Sequence, residues 1–282
     1  MLFPLVMGVL IGAFLIFFLF LAVLAFAPDI AQMINPSVVD ILKNVGGPVA
    51  AGFGGAIAGA VCSYVFQKKN EKERETKADI STIHKTSVHL LMQLNELYSI
   101  KKHNIFPSLG HQARFLDISK IPSNPSVTDR VDPRIIDIAL SVKEVGVIDT
   151  IYLAEARYRA CFENFTNRNS SLDEYRASVK AVGVCREGGH SLHDLYEIVG
   201  EGQLIALYVM TEQMIEVLDE ALQTLSEAMA LVNLIVDKKY KGFGVLSLKM
   251  DLNSGEEYLT KTAAPFFDIE GLRAYLRRGK NG

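Results

Sequence analysis

Residues 44–67, NVGGPVAAGFGGAIAGAVCSYVFQ, decide the fold: they hold no charged side chain and set Gly47, Ala51, Gly55, Gly59 and Ser63 four residues apart. A segment of this length and polarity is read as a membrane-spanning helix, because hydrocarbon offers no partner to backbone amides and carbonyls and a helix satisfies its own. The four-residue spacing gathers the small residues into one ridge. In lipid, where the hydrophobic effect does not drive helices together, such a ridge allows the close van der Waals contact that does. Two uses of it are open. Either it packs the segment against a neighbouring span of the same chain, or it forms an interface between protomers or lines a narrow conduit.

A second uncharged stretch lies upstream, over residues 1–28, with Phe14, Leu15, Ile16, Phe17, Phe18, Leu19, Phe20 and Leu21 in an unbroken apolar run. Gly8 and Gly12 give it a short small-residue notch of its own. Ala25, Phe26 and Ala27 form an A-x-A pattern, so a cleaved secretory signal is the competing reading. Against it, no Lys or Arg precedes the apolar run, the run is longer than a usual signal core, and Pro28 follows the cut. A two-helix transmembrane hairpin with spans at about 3–27 and 46–67 is therefore expected.

Basic residues near membrane ends stay on the cytoplasmic side. The connector of the hairpin holds only Lys43, whereas Lys68, Lys69, Lys72, Arg74 and Lys77 follow the second span, accompanied by Glu71, Glu73 and Glu75. Both termini are accordingly expected in the cytoplasm, as in an integral protein of a bacterial inner membrane. Within the connector, Asn35 before Pro36 reads as a helix cap and first turn, with Val38, Val39, Ile41 and Leu42 at the outer interface.

Composition limits what the remainder can do. The net charge is −3, and Lys43, Asp29 and Asp40 are the only charges before residue 68. The remainder is close to neutral and lacks the basic footprint of a nucleic-acid binder. Cys62 lies in the second span and Cys161 and Cys185 stand apart on predicted helices; this suits reduced cytoplasmic thiols and not a disulfide framework.

Downstream of the spans, 68–79 is polar on every face, like a solvated stalk. Ile80, Ile83, Ser87, Leu90, Leu94 and Leu97 then fall on alternating three- and four-residue steps, a bundle or coiled-coil seam reaching about His103. Pro107, Gly110, Pro122 and Pro125 make 104–132 an irregular segment, read as a loop wrapping the bundle with Phe106, Leu109, Phe115, Leu116 and Ile118 as anchors. Asp132 before Pro133 starts a helix whose apolar period runs from Ile135 to Phe165, with a polar break at 167–170. Ser171 and Glu174 have capping-box spacing and start a further helix to about Arg186, stopped by Gly188 and Gly189. A short helix over 192–199 and a long one over 203–239 follow. In the latter Thr211, Met214, Leu218, Ala221, Leu225, Ala228, Val232 and Ile235 keep a heptad.

The expected fold class is thus an all-α membrane protein: the hairpin, a cytoplasmic antiparallel bundle of about four helices over 80–240, and a small mixed tail over 241–282. In the tail, 245–252 alternates weakly like a strand before a turn at 253–255. Beyond Pro265 an amphipathic helix follows. Phe266, Phe267, Arg273, Arg277 and Arg278 are its candidate contacts with an anionic membrane surface; docking on the bundle is the other reading.

Catalytic chemistry is hard to find. Cys185, His190, His193 and Asp194 are acceptable metal-ligand types, but they lack the paired spacing of known zinc sites. His84 and His89 read as a solvated pair. No P-loop and no G-x-S-x-G elbow is present. With no Asp, Glu, Lys, Arg or His inside either span, a proton relay is not expected. The expectation is a non-enzymatic, cofactor-free, membrane-anchored protein that interacts or senses through its bundle and forms homo-oligomers in the bilayer. The alternative is an oligomeric effector or passive pore assembled through the Gly-rich helix.

Overall fold

The computed structural model describes residues 36–182, 191–245 and 256–278, together with positions 8, 12–13, 15–20, 22–23 and 26. Among the described residues every regular element is helical. The strand and turn expected over 245–255 lie outside them, except for Val245, which belongs to no helix. By internal packing the chain divides into two units, Met1–Thr76 and Lys77–Gly282.

In the first unit α1 (Pro36–Ile41) opens at the proline, as the Asn35–Pro36 step predicts. A π-helical turn, Leu42–Gly46, leads into α2 (Gly47–Ile100). The widened turn stands directly before Pro48, which has no amide to give the Asn44 carbonyl and whose ring crowds a regular α-turn. The helical run Asn44–Ser108, which contains α2, is long and apolar enough to cross a membrane; its most apolar window has a mean hydropathy of 1.7 and none of it is buried. The upstream span expected over 3–27 falls mostly outside the described residues, though positions 15–20 are helical.

The second unit is built on three long helices: the later part of α2, α5 (Val145–Ala181) and α6 (Leu192–Ile235). Short helices α3 (Arg114–Asp117) and α4 (Arg134–Ser141) lie between α2 and α5. The heptad read from α6 is buried along its whole length, from Thr211 to Ile235, and meets Ile83, Leu90, Leu94 and Leu97 of α2 in one core. Side-chain pairs fix the directions. Arg157 reaches Thr224 and Arg168 reaches Thr211, so α5 and α6 are antiparallel. Tyr240 meets Asp79 and Lys101 meets Asp219, so α2 and α6 are antiparallel too. His89 meets Glu155 and Glu96 meets Tyr158, so α2 and α5 run the same way.

This topology explains the irregular segment after α2. Two parallel neighbours need a crossover that returns the chain along the bundle, and residues 106–133 are that crossover. Arg134 at its end pairs with Asp79 at 2.9 Å, near the start of the bundle. Of the anchors expected in it, Phe115 and Ile118 are buried and Phe106, Leu109 and Leu116 are half-buried.

A crossover lying on apolar helices must satisfy its own backbone groups, and polar side chains of α2 and α5 do this. Glu96 accepts from the Ser126 amide at 2.9 Å, the Tyr158 hydroxyl from Val127 at 3.3 Å and Glu155 from Val131 at 2.9 Å. Asn169 both accepts from Ile121 N and donates to Ile121 O. Arg168, fully buried, donates to the carbonyls of Phe115, Ser119 and Ile118, and a longer contact of 3.4 Å joins it to Thr211.

The fold corrects three expectations. The polar residues 167–170 do not end a helix: α5 continues to Ala181, and Ser171–Glu174 caps nothing. Arg168 and Asn169 serve the crossover from within the helix, so the bundle core has three long helices and not four. Conversely, the apolar period from Ile135 to Phe165 is broken between α4 and α5. Lys143 takes a left-handed φ of 61°, its amide bonds Leu140 O and that of Glu144 bonds Ala139 O, the paired bonds of a Schellman stop. Third, His89 is not solvated; its Nε2 sits between Glu155 (3.2 Å) and Gln93 (3.1 Å) in a half-buried cluster. The pause foreseen in α6 appears at Gly200, where φ is 79°.

Glu155 makes part of this network pH-dependent. Burial pushes its pKa up, but the hydrogen bonds from His89 and the Val131 amide outweigh burial and hold the carboxyl below its ordinary 4.5. Since the folded value is depressed, the stabilisation is present above 4.5 and is lost as pH falls through the folded value. A Glu155→Gln variant should be less stable than the parent at neutral pH, with the gap in urea midpoint closing below pH 4.5. A gap independent of pH would refute this role.

Candidate functional site

Three places carry the residues singled out from the sequence. Along the ridge, Ala51, Gly55, Gly59 and Ser63 are exposed and Gly47 is half-exposed on α2. A Cβ added at Gly47, Gly55 or Gly59 would meet nothing within 4 Å. The flanking Val49, Phe53, Val65 and Phe66 are each more than half exposed. This apolar surface is largely exposed.

The second place is the tail. The amphipathic helix α8 (Ile269–Arg278) is preceded by the short α7 (Glu256–Leu259). Leu272 and Leu276 of α8 are fully buried with Leu204, Leu207 and Tyr208 of α6, so its apolar face docks on the bundle. Phe266 packs edge-on against Tyr208 with centroids 5.7 Å apart and lies 5.1 Å from Tyr275. Arg273 and Arg277 both pair with Glu201, at 2.7 and 3.2 Å. Arg278 ends the helix; its side chain is outside the described residues. Of the residues expected at a membrane surface, Phe267 alone among those with described side chains points fully outward without a partner ring or ion pair.

Between α7 and α8 the chain forms a strap held mainly through its backbone. Lys101, in the π-helical turn that closes α2, donates to Thr260 O at 2.8 Å and pairs with Asp219 of α6 at 2.6 Å. The other Asp219 oxygen accepts from the Thr262 amide at 2.6 Å. Arg114 of α3 forks onto Glu212, with Nε 2.9 Å from Oε1, and its Nη2 also donates to Ala263 O at 3.0 Å. Lys101, Asp219 and Arg114 are each at most 3% exposed. Tyr258 lies edge-on between Tyr98 and Phe106, with centroids at 5.5 and 4.5 Å, and the Lys102 ammonium stands 5.5 Å from its ring centre. Beside the strap, a groove of about 490 Å³ is lined by Tyr208, Glu212, Glu216, Lys261, Phe266 and Phe267.

No known protein family, curated protein or solved structure matches this chain. The site is accordingly read from its own chemistry.

The third place, the Cys185–Asp194 cluster, lies half outside the described residues, since Cys185, Gly188, Gly189 and His190 belong to the segment not described. Asp194 plays a structural part, forming a reciprocal capping box with Ser191 at the start of α6 through hydrogen bonds of 3.0 and 3.1 Å. Among the described residues no group of three or more His, Cys, Asp or Glu side chains is arranged to hold a metal ion. Cys161 is fully buried, with its sulfur 3.7 Å from Val217 O, and burial pushes its thiol up to about 12. It stays protonated at neutral pH and has no nucleophilic character.

The contacts of the crossover and of the strap were not visible in the sequence. The available signal was polar residues at core positions: Arg168 continues the buried steps Tyr158, Cys161 and Phe165, and Asp219 adjoins the heptad residue Leu218. A charged residue on an apolar face announces a buried partner, but the partner's position is not written in the periodicity.

Proposed function

We propose that this protein is a non-enzymatic, membrane-anchored helical module: the first unit holds it in a bilayer as a two-helix hairpin, and the cytoplasmic bundle binds a partner or senses a signal. The observation carrying this reading is the contrast along one helix. The α2 surface over residues 49–66 is apolar and largely exposed, whereas Ile83, Leu90, Leu94 and Leu97 further along it are buried in a core, with Val88 and Met92 left on the outer face. Bare aromatic and aliphatic surface of this extent marks a membrane or an interface, and its 1.7 mean hydropathy favours lipid. The excess of Lys and Arg over 68–77 supports cytoplasmic placement of the bundle and both termini.

The Gly ridge supports assembly in the membrane into a homo-oligomer. Because added Cβ atoms at Gly55 and Gly59 meet nothing within the described fold, the pair of changes Gly55→Ile and Gly59→Ile should leave thermal unfolding of the bundle unmoved. It should lower the oligomeric mass in detergent by blocking close helix approach. An unchanged mass would leave the ridge without a role between protomers. The second reading, a passive pore built from the same ridge, draws on those bare glycines alone. Dye leakage from liposomes carrying the full chain separates the two: tight liposomes favour the anchored module, and leakage lost in the Ile variant favours the pore.

A further inference from the structure

The strap has the features of a bound peptide more than those of a core element. Its 260–263 stretch is gripped by side chain to main chain contacts: Lys101 and Arg114 donate to carbonyls, and Asp219 accepts an amide. These contacts read the main chain whatever its side chains. Specificity falls to the rings at either end. Tyr258 sits in a cage of Tyr98, Phe106 and Lys102, and Phe266 packs on Tyr208. Leu272 and Leu276 then seat the following amphipathic helix α8 on α6, with Arg273 and Arg277 on Glu201. The receptor surface itself is assembled from α2, α3 and α6, none of which belongs to the tail.

We propose that the site filled by residues 256–278 is a receptor for a peptide, that the chain's own segment is its resident ligand, and that the ligand it accepts in trans is the same segment of a second copy of this chain. The second copy is the occupant because this segment, with its ring spacing and its basic face toward Glu201, already fits the groove within one chain. Exchange of straps would then link protomers through their cytoplasmic units. The inference names a partner for the bundle and so rests on reading the bundle as an interaction module; the assay below reads the groove alone, and its failure leaves membrane anchoring untouched.

The test uses the full chain in mild detergent with a protease site inserted between Ser254 and Gly255, and a fluorescent peptide of residues 256–278 standing for the second copy's strap. Before cleavage the tethered strap has an effective concentration of roughly millimolar, so micromolar peptide should not bind. After cleavage and dialysis the helical circular dichroism should persist and the peptide should bind saturably, displaced by unlabelled peptide. A peptide with Tyr258→Ala and Phe266→Ala should bind at least about thirtyfold more weakly. Three results would overturn the proposal. These are a cleaved, helical protein that takes up no peptide, equal binding of the double-alanine peptide, or loss of helicity when the cleaved strap is dialysed away, which would make the strap part of the fold.

Discussion

Replacing Arg168 with Met should lower the unfolding free energy of the bundle by about 3 kcal/mol or more, because it strips donors from buried carbonyls of the crossover, each worth ~1–3 kcal/mol when left unpaired. The guanidinium donates to Phe115 O, Ile118 O and Ser119 O, and those carbonyls close α3 and the turn after it. Burial, with a smaller push from Arg176, lowers the Arg168 pKa to about 10, so the side chain remains charged at neutral pH. A cation held only by neutral carbonyls is costly to bury, and the crossover offsets that cost with several charge-assisted bonds. Arg168→Lys should recover only part of the loss, since an ammonium cannot present a planar fork to three carbonyls. Urea unfolding of the full chain in detergent reads both variants. A midpoint within error of the parent for Arg168→Met would mean that the crossover is held by Phe115 and Ile118 packing alone.

Asp219→Leu should cost about 3–5 kcal/mol, for a different reason: it leaves the Lys101 ammonium, 1% exposed, without its counter-ion. The Thr262 amide loses its acceptor in the same step. The double change Lys101→Met with Asp219→Leu should be more stable than Asp219→Leu alone by at least about 1 kcal/mol, because removing both members of a buried pair costs less than stranding one. That non-additivity is measurable as a coupling energy. Both variants should also free the strap, so limited proteolysis should cut near Thr260–Ala263 in either variant before it cuts the parent. Additive single and double variants would show that Lys101 and Asp219 act independently.

These two sites mark where sequence reading reached its limit. The heptad of α6 and the Ile80–Leu97 seam were legible because a helix repeats its apolar face locally, and all of those residues are buried except the half-buried Ile80. The helix that sets Gly47–Ser63 four residues apart on one face was legible from the same local periodicity. The direction of packing was not. An antiparallel bundle follows from short connections, but the 106–133 segment is long enough to return the chain, and α5 runs parallel to α2 as a result. Nor was the continuity of α5 through residues 167–170 legible, because Asn167, Arg168, Asn169 and Ser170 resemble a break when their partners, some fifty residues upstream, are unknown. The strap is an extreme case. Lys101 meets Thr260 across 159 positions and Arg114 meets Glu212 across 98, and no local pattern encodes such a pairing.

The amphipathic helix α8 shows how one pattern admits two outcomes. Its apolar face and its arginines would suit an anionic membrane as well as a protein surface. Leu272 and Leu276 are fully buried on α6, and Glu201 holds both Arg273 and Arg277. The carboxylate on the receptor decides it: an acidic residue at the landing site competes with lipid headgroups for the same cations.

Membrane anchoring through α2 is tested most directly by the reactivity of Cys62, which is exposed on α2 within the uncharged stretch 44–67. In a Cys185→Ser background the buried Cys161 stays silent, so a membrane-impermeant maleimide reads Cys62 in the parent, and an introduced thiol in a Cys62→Ser, Asn70→Cys chain. On membranes open at both faces, the account predicts rapid labelling at position 70 and none at position 62. Labelling of Cys62 as fast as position 70 would place that surface in water and contradict the account.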